Sequence, residues 1–213
     1  WATGATDGME THSYARYWHG YLIWLKPLLE VCNYSQIRVI NTVLQILLMA
    51  AALAAMWVKK QKRLLLPFLL MWLFLTPVAL FKSFQFSWIF YVCTISTLVL
   101  LLRYQKLDAN RSFYLLFLIT GMATSYVDFL IYPLITLGVP LAVYVVLRGR
   151  RTWKQGVADV AALSLVWGIG YVGIWAGKWA LCSLLTGSDV LLTVQGNISA
   201  RMSNAYDAEV FTW

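Results

Sequence analysis

The feature that most constrains this chain is a succession of long apolar runs. A helix needs roughly 20 apolar residues to cross the hydrocarbon core of a bilayer. In a bilayer the backbone polar groups must be satisfied within the chain, which favours helices for runs of this kind. The sequence therefore predicts an all-α, polytopic integral membrane bundle of about six transmembrane helices. The runs occupy residues 37–58, 64–81, 86–102, 112–123, 129–147 and 157–185.

Composition and charge placement agree with this class of protein. Hydrophobic residues make up 61% of the chain and charged residues 12%, whereas soluble domains contain about 45–50% and about 25%. Three loops are strongly basic, at residues 59–63, 103–111 and 148–154. They alternate with segments poor in positive charge, so the positive-inside rule places the basic loops in the cytoplasm. We therefore expect a plasma-membrane protein with both ends of this chain extracytoplasmic, and the net charge of +8 does not indicate a nucleic-acid partner.

The predicted domain organisation follows from these runs. Residues 1–35 form an extracytoplasmic segment with an interfacial helix, 36–185 the transmembrane domain, and 186–213 an extracytoplasmic tail. Residues 112–147 form either two short helices or one long helix with a re-entrant piece. We prefer two, because an even number of crossings keeps both flanking basic loops inside. The chain starts at Trp1 and ends at Trp213, so we expect an internal fragment of a longer protein.

The aromatic segment before the first run predicts an amphipathic helix at the outer membrane face. With Ser13 as N-cap, one stripe carries aromatic rings and the other carries cations, and Pro27 breaks or restarts the helix. Tyr and Trp rings favour the headgroup level of a membrane. One interpretation is an aromatic anchor; the other is that the cations bind a lipid phosphate. The aromatic stripe contains Tyr14, Tyr17, Trp18, Tyr21 and Leu25, and the cationic side contains His12, Arg16, His19 and Lys26.

Several motifs carry a family resemblance over residues 13–141. The segments YARYWHGYLIWLKPLL and NYSQIRVIN, followed by TSYVDFLIYP, resemble a group of multi-pass membrane proteins of Gram-positive and gut bacteria. The arrangement is also similar to the GT-C class of membrane glycosyltransferases. That resemblance implies a polyprenyl-phosphate-linked sugar as donor, with membrane lipids as surroundings. It also implies a catalytic carboxylate early in the first external loop.

The candidate catalytic residues are acids on the predicted outer side. Asp7 and Glu10 lie in the first external segment, but no D-x-D or E-x-D pair is present. Asp128 lies between two apolar runs, where an ionisable group either lines a cavity or caps the next helix. For lipid phosphate the candidates are Arg16, His19, Lys26 and Lys82; Lys82 alternatively snorkels. The sequence does not identify a cofactor. A divalent metal fits such chemistry, but no metal-ligand set is visible in the sequence.

Two other function classes remain open at this point. Helices interrupted by Pro and Gly also suit a membrane transporter or lipid flippase, although no inverted repeat is clear. A non-catalytic membrane scaffold would use the aromatic segment as an anchor only. The glycines at 168, 170, 173 and 177 are interpreted as small residues for close helix packing.

Overall fold

The computed structural model describes residues 18–75, 82–127, 132–149 and 152–186, and these residues are helical with no strand among them. The all-α prediction is therefore confirmed for the described chain. Most of the predicted apolar runs coincide with a helix, but the bounds differ from those expected. The helices are α1 Leu22–Val31, α2 Tyr34–Val58, a 3-10 turn at Lys62–Leu64, α3 Leu65–Phe74, α4 Phe84–Ala109, α5 Phe113–Val127, α6 Ile135–Arg148 and α7 Trp153–Thr186.

Three of these helices are long and apolar enough to cross a membrane: Tyr34–Val58, Phe84–Ala109 and Trp153–Leu185. Helices α3, α5 and α6 are apolar but shorter, with 10, 15 and 14 residues. Large apolar side chains such as Leu47 and Leu165 face outwards, and lipid is the surrounding that would cover them without cost. The structure thus indicates a membrane protein, while six crossings remain a prediction.

Helix α4 lies at the centre of the bundle and packs against α2, α5 and α6. Aromatic side chains fill much of the core. The rings of Trp72 and Phe90 are 5.4 Å apart, and Phe117 meets Tyr144 edge to face at 6.3 Å. Such ring pairs add to the stabilisation from apolar burial.

Helices α5 and α7 approach each other very closely at two glycines. A Cβ atom at Gly121 would lie 2.1 Å from the carbonyl oxygen of Trp167, and one at Gly170 would lie 2.3 Å from that of Leu118. The predicted packing role of the glycine-rich run is therefore confirmed for Gly170. The three other glycines of the run, at 168, 173 and 177, meet no described atom within 4 Å.

A buried polar junction joins the same part of the bundle. The Oγ1 atoms of Thr124 and Thr136 are 2.7 Å apart, and the indole N–H of Trp167 donates to Thr136 Oγ1 at 3.3 Å. Thr136 also donates to the carbonyl oxygen of Pro133 at 2.9 Å. One hydroxyl thus links α5, α6 and α7 inside the bundle.

The basic loops come together at one end of the bundle. Arg63 Nη2 donates to the carbonyl oxygen of Val146 at 2.8 Å. Arg148 Nη1 lies 2.7 Å from Asp108 Oδ1. We call this the basic end, and the end at which α2 begins the opposite end. Residues that the sequence assigns to one side of the membrane therefore lie together.

The chain divides into two compact units. Trp18–Trp175 forms the first. The second contains Trp1–Tyr17 and Ala176–Trp213, and the structure describes it only at residues 176–186, in the last turns of α7. The domains predicted at 1–35, 36–185 and 186–213 stay predictions.

Candidate functional site

The first turns of α2 are fixed by a capping box. The Asn33 side chain accepts a hydrogen bond from the backbone N–H of Gln36 at 2.9 Å, and the Gln36 side chain accepts one from the N–H of Asn33 at 2.9 Å. This reciprocal pair satisfies two backbone donors that a helix start otherwise leaves open. It sets the helical register, so that Ser35, Arg38 and Thr42 share one face at spacings of three and four.

That face of α2 borders a groove of about 370 Å³ at the opposite end. Its polar part combines two cations with two hydroxyl groups, and its apolar part consists of two valines. The Thr42 hydroxyl is already used, because it donates to the carbonyl oxygen of Arg38 at 2.8 Å. The groove therefore suits an anion attached to an apolar chain. The lining residues are Ser35, Arg38, Val39, Thr42, Val43 and Lys82.

The two cations of the groove differ in what they offer an anion. Arg38 is half-buried and presents a planar fork that can hold two phosphate oxygens at once. Lys82 is exposed and acts as a compact point charge on a flexible stem. Arg38 was missed by the sequence reasoning. The sequence did contain a signal for it. Arg38 is a lone arginine about one turn after the start of a helix, and the positive-inside rule predicts that this helix starts on the extracytoplasmic side.

A buried polar cluster holds α2 beside the start of α4 and so positions Lys82 next to Arg38. Asn41 Oδ1 accepts from the hydroxyls of Ser87 at 3.1 Å and Tyr91 at 2.9 Å. Gln45 Nε2 donates to the carbonyl oxygen of Ser87 at 2.9 Å. Hydrogen bonds in such a low-dielectric site are strong, because water does not compete for the partners. Lys82 directly precedes Ser83, the residue before α4.

Helix α1 differs from the predicted interfacial helix. It begins at Leu22, residues 18–21 are not helical, and His19 has a positive φ of 54°. Residues 13–17, where the helix was predicted to begin, lie outside the described residues. Pro27 lies inside α1 and does not break it, so that expectation was wrong. The ring of Trp24 stacks on Trp88 of α4 at 6.1 Å, which places α1 at the opposite end. Lys26 is exposed on α1 and does not line the groove.

The segment before α1 connects two motifs that are far apart in sequence. Gly20 N–H donates to the carbonyl oxygen of Tyr126 at 3.1 Å, and the rings of Trp18 and Tyr126 are 5.6 Å apart. Trp18 Nε1 also donates to the carbonyl oxygen of Ile174 at 2.8 Å. Trp18 and Gly20 of the RYWHGY motif therefore meet Tyr126 of the TSYVD motif at the end of α5. This contact, unlike the motifs themselves, is not visible in the sequence.

One of the predicted site residues, His19, lies beside this contact. His19 is half-buried, with its ring 6.2 Å from that of Tyr21. Desolvation by burial, with a contribution from the Tyr34 phenol, raises the pKa of Tyr21, so its hydroxyl stays a hydrogen-bond donor at neutral pH. The other predicted residues lie outside the described residues: Asp7, Glu10, Arg16 and Asp128.

Three carboxylates lie among the described residues. They are Glu30 on α1 and the two that pair with Arg148 at the basic end, Asp108 and Asp159. Within the described ranges, no group of three or more His, Cys, Asp or Glu side chains could hold a metal ion. Comparisons with known proteins give no match for this chain among protein families, curated proteins or solved structures.

Proposed function

We propose that this chain binds a polyprenyl-phosphate-linked sugar at its outer face and, as a GT-C-like membrane glycosyltransferase, transfers the sugar to an acceptor. The observation that carries the proposal is the groove on α2, in which Arg38 and Lys82 flank an apolar wall. A lipid phosphate needs cationic partners for its headgroup and apolar surface for its chain. The groove provides both within one site.

The apolar wall of the groove continues along the outward face of α2. Val39 is 64% exposed and Val43 is 48% exposed, which is unusual for valines in a water-soluble protein but ordinary for a lipid-facing helix. Ile46 and Leu47 extend the same outward surface one turn further. A polyprenyl chain lying along this surface keeps its phosphate at Arg38, because the chain and the headgroup are covalently joined.

In the proposed reaction the bond between the sugar C1 atom and the phosphate oxygen breaks. Its electron pair stays on the phosphate oxygen, where Arg38 and Lys82 stabilise the added negative charge. The acceptor hydroxyl oxygen forms the new bond to C1, and its proton passes to a carboxylate. Asp128, Asp7 and Glu10 stay the candidates for that base.

The proposal includes six crossings, with α3, α5 and α6 as short ones, and both ends of the chain outside. The meeting of the basic loops at one end supports it, because loops on the same side of a membrane must lie at the same end of a bundle. The position of the α2 groove at the opposite end then corresponds to the outer leaflet. Arg16, His19 and Lys26 would add cationic groups on that side.

The test uses the full chain purified in mild detergent, with its lipids identified by mass spectrometry. We expect polyprenyl-phosphate or its sugar ester with the wild type, and its loss from Arg38→Gln/Lys82→Gln. Lys154→Gln is the matched control, because Lys154 is an exposed lysine outside the groove. Equal lipid content in all three proteins would remove the groove from the proposal.

A second measurement separates catalysis from binding. Sugar transfer from a polyprenyl-phosphate sugar should fall about 10²–10³-fold when one charge that stabilises the leaving phosphate is removed, as in Arg38→Gln. Asp128→Asn should keep the lipid and lose transfer. A protein that moves the lipid between leaflets without transferring sugar would be a flippase, and one that tolerates every variant would be a scaffold.

A further inference from the structure

A second cationic groove lies at the basic end, on the other side of the bundle from the first. Its volume is about 280 Å³, and it is bordered by the end of α2 and the last turns of α4. Lys59 directly follows α2, and Arg103 and Lys106 lie in the last turns of α4. The amide of Gln61 adds hydrogen-bonding capacity, while Leu102 and Leu147 form an apolar edge.

Two other cations of the first basic loop, Lys62 and Arg63, are engaged by the protein itself. The ammonium group of Lys62 lies 4.1 Å from the centre of the Trp57 ring, a favourable cation–π geometry. Arg63 donates to the carbonyl oxygen of Val146 at 2.8 Å. Lys59 is exposed and directed to the groove instead.

The described carboxylates of this end are also engaged elsewhere. Arg148 Nη1 lies 2.7 Å from Asp108 Oδ1, and Arg148 Nε lies 3.1 Å from Asp159 Oδ2. The guanidinium group of Arg148 is further held over the rings of Phe113 and Tyr144, at 5.3 and 5.4 Å. Both carboxylates thus pair with the same arginine, which leaves one negative charge uncompensated in that cluster. None of these three side chains lines the groove, and three positive charges remain directed towards it.

We propose that this groove binds the phosphate group of an anionic phospholipid from the leaflet at the basic end. Clustered Lys and Arg side chains beside a membrane helix attract acidic headgroups. Leu102 is 54% exposed next to Arg103, so an acyl chain can continue along the apolar surface while its phosphate is held by the cations. The site uses no residue of the α2 groove and does not depend on the proposed glycosyl transfer.

The test titrates the detergent-solubilised full chain with phosphatidylglycerol and, separately, with phosphatidylcholine of the same acyl chains. Bound lipid is counted by native mass spectrometry. Each juxtamembrane cation contributes about 1 kcal/mol, so Arg103→Gln or Lys106→Gln should weaken phosphatidylglycerol binding about fivefold and the double variant about thirtyfold. Both side chains are exposed, and the variants should therefore fold normally.

Lys154→Gln is again the matched control, because it removes an exposed positive charge that does not line this groove. Binding within about twofold of wild type in this variant would support a defined site. An equal loss in Lys154→Gln and in the groove variants would show diffuse attraction and overturn the proposal, as would equal affinity for the two lipids. Displacement of the lipid by micromolar inorganic phosphate would assign the groove to a soluble phosphate compound instead.

Discussion

The close crossing of α5 and α7 at Gly121 and Gly170 yields a sharp prediction about how this bundle is held together. An alanine Cβ at either position would lie 2.1–2.3 Å from a backbone carbonyl oxygen of the facing helix. A normal contact needs more than 3 Å, so α5 and α7 must separate by about 1 Å. Backbone atoms cannot rotate away as side chains do. Overpacking of this kind costs about 1–3 kcal/mol.

We therefore expect Gly121→Ala and Gly170→Ala each to lower Tm by about 2–12 °C, since 1 kcal/mol shifts a domain of this size by about 2–4 °C. Thermal unfolding in detergent measures the effect. The double variant should cost less than the sum of the single variants, because both alanines separate the same helix pair.

The matched controls lie in the same glycine-rich run. Gly168 and Gly173 have open space where a Cβ would be placed, and alanine is the better helix former by about 1 kcal/mol. Gly168→Ala and Gly173→Ala should leave Tm unchanged or raise it. If Gly170→Ala behaves like Gly168→Ala, the close crossing of α5 and α7 does not exist and the reasoning is refuted.

Three further predictions concern polar contacts and the segment before α1. Thr136→Val keeps the side-chain shape but removes the hydroxyl that joins three helices. The free energy of unfolding should fall by about 1–3 kcal/mol. An unchanged free energy of unfolding would mean that these hydrogen bonds do not stabilise the bundle. Asp159→Asn should lower Tm more than Asp108→Asn, because the side chains are 20% and 48% exposed. The loss of Tm in Asp108→Asn should vanish in 1 M salt, whereas that in Asp159→Asn should remain. A larger loss in Asp108→Asn than in Asp159→Asn would contradict this prediction. Gly20→Ala places a Cβ 2.5 Å from the ring of Tyr126, so backbone hydrogen exchange in the segment before α1 should become faster. Gly138→Ala is the control, because a Cβ there meets no atom within 4 Å. Unchanged exchange in Gly20→Ala would argue against the contact with Tyr126.

Much of the fold could be predicted because lipid-soluble helices need long apolar runs. The predicted span 37–58 corresponds to α2 at Tyr34–Val58, and 157–185 corresponds to α7 at Trp153–Thr186. The boundary residues differ because caps, not hydropathy, decide where a helix starts. The capping box of Asn33 and Gln36 begins α2 before its apolar run does.

The candidate site was less predictable, because it depends on which helices are neighbours. Lys82 was identified from its isolation in a loop poor in positive charge, but Arg38 was overlooked. Their proximity is set by Asn41 and Ser87, whose hydrogen bond joins α2 to α4, and no local pattern reveals such a pairing. The interfacial helix predicted from Ser13 stays a prediction for residues 13–17, which lie outside the described residues. Residues 18–21 are not helical, and the backbone at His19 has a positive φ, a conformation that side-chain periodicity does not report.

Helix α2 and the residue that caps its end carry one cation of each groove, and the length of the helix therefore has a consequence for the bilayer itself. Arg38 borders the first groove, and Lys59, the C-cap residue of α2, borders the second, 21 residues further along the chain. At 1.5 Å per residue they are about 32 Å apart, close to the thickness of the hydrocarbon core, about 30 Å. If a phosphate is held at each end, α2 fixes the distance between the headgroups of the two leaflets beside it. In a thinner bilayer, either α2 would tilt or the bilayer would thicken locally around it.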